Sequence, residues 1–266
     1  MIILFIGDVF GAAGRDALFH GLYNIKKREG ADICIANGEN AASNGRGLSG
    51  RDARDIMESG VDVITMGNHV WSCREFEEFA DRLPVVRPAN IGRNRPGKGY
   101  VVTDVNGVKL GIANVEGRAF MDIVGDDVFG TADDLVAAMK AEGAAVTFFD
   151  FHAEATSEKK MFAMYLDGRA TAVVGTHTHV QTADETVLPG GTAFITDAGM
   201  TGISRESVIG MAYKGVFEKF AMGRKASFEA VKAGTLEIRG VVIDADEKTG
   251  KARSIKRIAE IVEPPV

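Results

Sequence analysis

The chain has 266 residues, 45% of them apolar and 26% charged, with six prolines and a formal net charge of −6 at pH 7. That length and balance suit one domain over residues 1–266 with a substantial core. They exclude a disordered or low-complexity chain, and the acidic surplus excludes a surface built to hold duplex nucleic acid.

Residues 2–6 read as an apolar strand running into Gly7-Asp8, with no basic leader or cleavage site of a signal peptide. A helix is expected over 15–28, a strand over 32–36 ending in Asn37-Gly38-Glu39-Asn40, a helix from Ser49 to Glu58, a strand over 62–66 ending in Gly67-Asn68-His69, and a helix near 74–82. Strand, loop and helix repeating in this order predict parallel strands, whose ligands gather at the carboxyl ends. Asp8, Glu39, Asn40, Asn68 and His69 all fall at such ends.

Asn106-Gly107 between residues 99–103 and 108–115 then signals a hairpin. A helix over 133–142 follows, and a buried strand over 146–151 delivers His152. After a helix over 157–166, the β-branched strand 171–174 delivers Gly175-Thr176-His177-Thr178-His179, and a turn at Pro189-Gly190-Gly191 brings 192–196 alongside. The last third reads as strands over 236–245 and 252–261. Two sheets packed together, with helices on both outer faces, account for the mixture. No apolar run is long enough to span a membrane. Cys34 and Cys73 form no disulfide framework, so a reducing, cytoplasmic location is expected.

The strand ends thus carry two carboxylates (Asp8, Glu39), two amides (Asn40, Asn68) and four of the five histidines (His69, His152, His177, His179). A closed structural zinc site needs fewer ligands and favours cysteine. This set suits two metal ions sharing one carboxylate, and oxygen and nitrogen donors without thiolate point to iron, manganese or zinc. A pair of ions ~3.5–4 Å apart can hold a phosphoryl oxygen and turn a bridging water into a hydroxide nucleophile, which makes phosphoester hydrolysis the natural reaction. Taken singly, the residues have blander readings. Asp8 could cap a helix, Asn40 and Asn68 could shape turns, and His152 could be a satisfied core histidine. Their joint placement argues against that.

Gly7-Asp8, Asn37-Gly38-Glu39-Asn40, Gly67-Asn68-His69, His152 and Gly175-Thr176-His177-Thr178-His179, in this order, resemble the calcineurin-like metallophosphoesterases, and more closely their YmdB-type branch of cyclic-nucleotide phosphodiesterases. Residues 149–159 and 196–202 support the resemblance. It implies a four-layer α/β/β/α sandwich, a dinuclear centre of iron or manganese, and hydrolysis of small phosphodiesters such as 3′,5′- or 2′,3′-cyclic AMP. It also implies that Asp8, Asn40 and His179 hold the first ion, that Glu39 bridges, that Asn68, His152 and His177 hold the second, and that His69 is the general acid. Where the wider superfamily places a histidine after its first aspartate, this chain has Phe10, and a glutamate stands for the bridging aspartate.

Other residues have two readings. Trp71 either walls the site or simply packs, and Cys73 is either a redox-sensitive thiol or a plain loop cysteine. Ser43, Asn44 and Arg46 either touch phosphate or sit in a solvated loop. Residues 199–211, too apolar for an idle loop, form a pocket wall or a contact between subunits. Two further functions compete: a metal-dependent amidohydrolase, whose barrel begins with a histidine pair, and a regulatory metal-binding protein acting through a partner.

Overall fold

The computed structural model describes residues 1–122 and 125–263. Its first half is β1 (Ile2–Ile6), β2 (Asp8–Val9), α1 (Gly11–Glu29), β3 (Ile33–Asn37), α2 (Gly50–Glu58), β4 (Val63–Thr65), α3 (Phe76–Phe79) and β5 (Val85–Val86). Strands β1, β3, β4 and β5 lie parallel in sequence order, as the alternation predicts. Gly30 closes α1 in the left-handed region at φ 64°. Ser49 opens α2 by accepting the Asp52 N–H at 3.0 Å.

Next come β6 (Tyr100–Val105) and β7 (Val108–Glu116), a hairpin turning at Asn106 (φ 53°) and Gly107 (φ 86°). They are followed by α4 (Val128–Ala141), β8 (Val146–His152), α5 (Thr156–Leu166), β9 (Ala172–Thr176), β10 (Thr186–Val187), β11 (Ala193–Ile195), β12 (Met200–Ile203), α6 (Tyr213–Phe220), β13 (Leu236–Asp246) and β14 (Lys251–Val262). The first sheet has eight strands in the order β2-β12-β13-β1-β3-β4-β5, with β14 on β13, and the second has six in the order β10-β11-β9-β8-β7-β6.

Alternation along β1 explains the layering. Leu4 and Ile6 face one core with Leu18 and Leu22 of α1 and Ile56 of α2. Ile3 and Phe5 face the opposite way, into a core shared with Ile112, Phe148 and Val174 of the second sheet. Phe5 and Phe148 meet there with ring centroids 5.1 Å apart. On the far side of the second sheet, Phe149, Phe151 and Val173 pack under α4 and α5, where Phe151 stacks on Phe162 at 4.0 Å. The result is the expected four-layer α/β/β/α sandwich of metallophosphoesterase type. Among the described residues both sheets are open, and no barrel of the kind an amidohydrolase reading depends on is found there.

One local expectation is corrected, and two elements gave no signal in the sequence. The helix expected near 74–82 is only Phe76–Phe79, because the chain must turn at once into β5. Strand β12 pairs with both β2 and β13 through only a few residues, too short a run to show periodicity. Helix α6 buries none of its residues, so its apolar spacing carries no core signal.

One buried ion pair fastens the second sheet's loops to α5. Lys159 and Asp197 are both fully buried. Asp197 Oδ2 accepts from Lys159 Nζ at 2.7 Å and from the Thr178 N–H and hydroxyl at 3.0 and 2.8 Å, while Oδ1 accepts the Gly199 N–H at 2.9 Å. Replacing Lys159 with Met leaves a buried carboxylate without its cation, so K159M should lose ~3–5 kcal/mol of stability in denaturant unfolding. A loss below ~1 kcal/mol would show that the three remaining donors, not the charge, satisfy Asp197.

Candidate metal centre

The carboxyl ends of both sheets meet at one crevice. Asp8 lies in β2, Glu39 and Asn40 follow β3, Asn68 and His69 follow β4, His152 ends β8, and His177 and His179 follow β9. Backbone as well as side chains is committed here. His177 (φ 103°) and His179 (φ 64°) both occupy the left-handed region that non-glycine residues avoid, at a cost of ~1–3 kcal/mol each. The Thr178 contacts to Asp197 hold the peptide between them in place. At Gly67 a Cβ would lie 2.4 Å from Glu39 Oε2 and from His152 Nε2, so only glycine lets the β4 loop approach the site.

Side-chain donors fall into two adjoining groups. In one, His152 Nε2 lies 3.0 Å from Asn68 Oδ1, 3.0 Å from His177 Nδ1 and 3.2 Å from Glu39 Oε1. Donor atoms of Glu39, His152 and His177 all lie within 4.8 Å of one another. In the other, His179 Nε2 lies 3.2 Å from Asn40 Oδ1 and 4.0 Å from Asp8 Oδ1. Glu39 Oε2 accepts the His69 N–H at 2.9 Å, which ties the β4 loop to the same carboxylate.

The far nitrogen of each clustered histidine fixes what the near one offers. His179 Nδ1 donates to the Ile209 carbonyl at 3.0 Å, and His177 Nε2 faces Glu154 Oε2 at 3.1 Å. His152 Nδ1 meets Thr176 Oγ1 at 2.8 Å, and that hydroxyl donates to Asp150 Oδ1 at 2.7 Å, so it accepts from the imidazole. Each ring therefore spends its proton outward and turns a lone pair inward, the arrangement that metal-ligating histidines adopt. Asn40 behaves alike, with Nδ2 donating to the Gly45 carbonyl at 2.9 Å and Oδ1 left facing His179. Lone pairs facing one another at about 3 Å repel, and Asp8 Oδ1 is buried with no hydrogen-bond partner among the described residues. A set of acceptors converging without donors fits cations held between them.

In the metal-free crevice a proton on His152 takes the place of a cation. Burial raises the Asp8 carboxyl to about 6. Burial also pushes Glu39 up, but the charges of His152 and His69 outweigh it and hold the carboxyl down at about 2. Burial opposes charge on His152, yet Glu39, Asp8 and Asp150 together carry its imidazole up to about 9. Burial, reinforced by His152, drives His177 down to about 3. With no cation bound, the crevice thus concentrates a proton on one histidine.

Beside these donors opens a cavity of about 380 Å³, lined by Glu39, Asn40, His69, His177 and His179 on one side and by Val208, Ile209, Met211, Val216, Phe220 and Phe228 on the other. Residues 208–211 are therefore a pocket wall, one of the two roles expected of that stretch. Arg46 reaches the cavity, whereas Ser43 and Asn44 do not line it. Trp71 does not line it either, and packs edge-on to Phe76 and beneath Arg95, whose guanidinium carbon lies 3.6 Å above the indole. Cys73 is half-buried, and burial raises its thiol, which makes it a poor nucleophile.

A family model described as YmdB-like protein matches residues 4–258. The chain belongs to that family. It is 46% identical over 259 residues to the 2′,3′-cyclic-nucleotide 2′-phosphodiesterase of Bacillus subtilis (strain 168), covering 97% of this chain and 96% of that protein. A crystal structure of a hypothetical protein from Thermus thermophilus superposes with a TM-score of 0.91 at 41% identity, covering 99% of this chain and all of that one. A Mycoplasma pneumoniae structure described as a novel phosphatase does so with a TM-score of 0.91 at 34% identity, covering 100% and 95%.

Within this YmdB-like frame, Phe10 is a packing element and offers no donor to the crevice. Its ring meets His179 edge-on at 5.6 Å, and a Cβ at Gly45 or Gly210 would lie 2.4 or 2.6 Å from it. Sequence reasoning missed the supports of the site: Asp150, Asn37, Thr65, Thr176, Glu154 and the Ile209 carbonyl. An aspartate inside the apolar run 146–151 was the available signal.

Glu116, beside His152 across β7 and β8, is fully buried, and neither carboxyl oxygen has a hydrogen-bond partner among the described residues. Burial raises it from 4.5 to about 8. Between those values the folded protein holds a proton that the unfolded chain has released, so stability falls as pH rises, by ~1.4 kcal/mol per pH unit for this group. Substituting the neutral, isosteric Gln should flatten that slope between pH 5.5 and 7.5 in unfolding of the metal-free protein, and identical slopes for E116Q and wild type would place an ionised carboxylate at 116.

Proposed function

We propose that this protein is a dinuclear metal-dependent phosphodiesterase acting on small phosphodiesters, with cyclic nucleotides as the substrate class. The observation that carries the reading is the convergence of inward lone pairs on Glu39, at the floor of a cavity with His69 on its wall. Asp8, Asn40 and His179 would hold one ion, Asn68, His152 and His177 the other, with Glu39 shared. The oxygen and nitrogen donor set suits iron or manganese, with zinc admissible. Bound there, such ions supply Lewis acidity to the phosphoryl group and make a water acidic enough to attack it at neutral pH. The 2′,3′ ring is favoured because the Bacillus subtilis relative is named for it.

The chain's own groups do the rest. Thr176, Glu154 and the Ile209 carbonyl keep three imidazoles in the tautomer that presents a lone pair inward. Arg46 adds positive charge on the solvent side of the cavity, where an anionic diester enters. His69, anchored through its own N–H to Glu39, serves as general acid and protonates the departing ribose oxygen. Burial lowers the His69 imidazole, against the pull of Glu39 and together with Arg46, His152 and His179. A bound phosphodiester anion acts in the opposite direction, so its arrival charges the acid when it is needed.

Protein reconstituted with manganese or iron should hydrolyse 2′,3′- and 3′,5′-cyclic nucleotides in preference to phosphomonoesters, and failure on every diester would overturn the reading. His69→Ala should retain both metals and lose turnover by ~10²–10⁴-fold. That loss should shrink for nitrophenyl diesters, whose leaving group needs no proton. Equal losses on both kinds of substrate would reassign His69 to binding.

Asn40 is the sharper probe of the ligand set, because with Phe10 unable to coordinate, the first ion has only Asp8, Glu39 and His179 besides it. In metal titration Asn40→Ala should lose one of two sites and keep the one formed by Asn68, His152 and His177. Two sites of unchanged affinity in N40A would make the amide a turn residue.

A further inference from the structure

We infer that the apolar wall of the cavity is a nucleobase platform and that Phe220 is the residue on which the base stacks. This rests on the reading of the protein as a cyclic-nucleotide phosphodiesterase.

The cavity is divided chemically. Its lining combines the candidate metal-ligating and acid groups with a set from the 208–228 segment, Val208, Ile209, Met211, Val216, Phe220 and Phe228, that is entirely apolar. A nucleotide is divided in the same way, with a charged phosphate at one end and a flat π-face at the other. The volume of about 380 Å³ lies at the small-ligand end of the range for binding pockets, ~300–1,000 Å³.

The aromatics of α6 have no role in the hydrophobic core that would explain them. Helix α6 buries none of its residues in the fold, yet it carries Tyr213, Phe217 and Phe220, the last 75% exposed. Phe220 is both on the cavity and open to solvent, as a stacking surface must be. Phe228 lies behind it, with centroids 6.4 Å apart and planes 28° from parallel. Lys219 Nζ sits 4.8 Å from the Phe228 ring centroid and 5.7 Å from that of Phe220, a cation–π arrangement that holds the pair as a unit.

The wall is also fixed relative to the reacting end. The Ile209 carbonyl accepts from His179 Nδ1 at 3.0 Å, and Gly210 lies against the Phe10 ring. The 208–211 part of the wall is therefore anchored to His179, and α6, which carries Phe220, begins two residues beyond it. The platform presents only apolar side chains, so it reads the π-face and not the hydrogen-bonding edge, and base choice should follow stacking area.

Phe220→Ala should raise KM for 2′,3′-cyclic AMP roughly tenfold while kcat changes less than about twofold, the size expected from losing one base–aromatic stack. Ribose 2′,3′-cyclic phosphate, which has the ring and no base, should be unaffected. Phe220→Trp should restore the wild-type KM, and purine substrates should be preferred to pyrimidines. Equal effects on the nucleotide and the abasic substrate, or none on either, would overturn the platform. If wild-type protein turns over neither compound, the phosphodiesterase reading fails by itself, and calorimetric titration of adenosine 3′-monophosphate into the manganese-loaded protein then decides. Weaker binding to F220A than to wild type supports the platform, and equal binding overturns it.

Discussion

A single buried carboxylate stitches the two sheets together at the end where the chemistry would occur. Asp150 in β8 of the second sheet accepts from Asn37 of β3 at 2.9 Å and from Thr65 of β4 at 2.5 Å, both in the first sheet, and from Thr176 of β9 at 2.7 Å. An unpaired carboxylate at that depth would cost several kcal/mol, whereas one with three donors is satisfied only when both sheets sit in register. Burial still raises Asp150, so the contact is held by geometry more than by charge. The position of His152 follows, because its ring hangs from the same Thr176 hydroxyl.

What surrounds that contact is arranged at the expense of local stability. Two histidines take left-handed backbone, Gly67 leaves no room for a side chain, and Asp8 and Glu116 keep buried oxygens without partners among the described residues. Proteins keep such features where surrounding structure over-determines them. Here the Lys159–Asp197 pair and the Asp150 network supply the over-determination. A bound cation would relieve the rest, since it neutralises carboxylates and separates lone pairs that otherwise face each other.

The fold was legible where periodicity and turn chemistry agree. Strands β1, β3, β8 and β9 are short apolar runs ended by Gly, Asn or His, and the Asn106-Gly107 turn announces its hairpin. The candidate ligands were legible because each is a polar residue directly after such a run. Their supports were not, because Thr65, Thr176 and Asn37 are ordinary strand and turn residues until the second sheet arrives to meet them. Of the two readings open for Trp71, packing is the one found, because the 69–76 turn points it at Phe76 and Arg95. The aromatic wall was invisible for the opposite reason: α6 packs on the cavity and not on the core, so a core-seeking pattern has nothing to detect.

Phe10 links these parts. Its phenyl ring is a wedge between Gly45, in the loop after Glu39, and Gly210, in the loop that carries the apolar wall. The same ring meets His179 edge-on, and His179 in turn donates to the carbonyl of Ile209, next to Gly210. The phenyl ring offers no donor atom to the crevice, and Asn40 stands beside His179 with its oxygen turned inward. The loop that walls the cavity is in direct contact with His179, through the Ile209 carbonyl and the Phe10 ring. The ligand set and the shape of the pocket are therefore one structural unit in this chain.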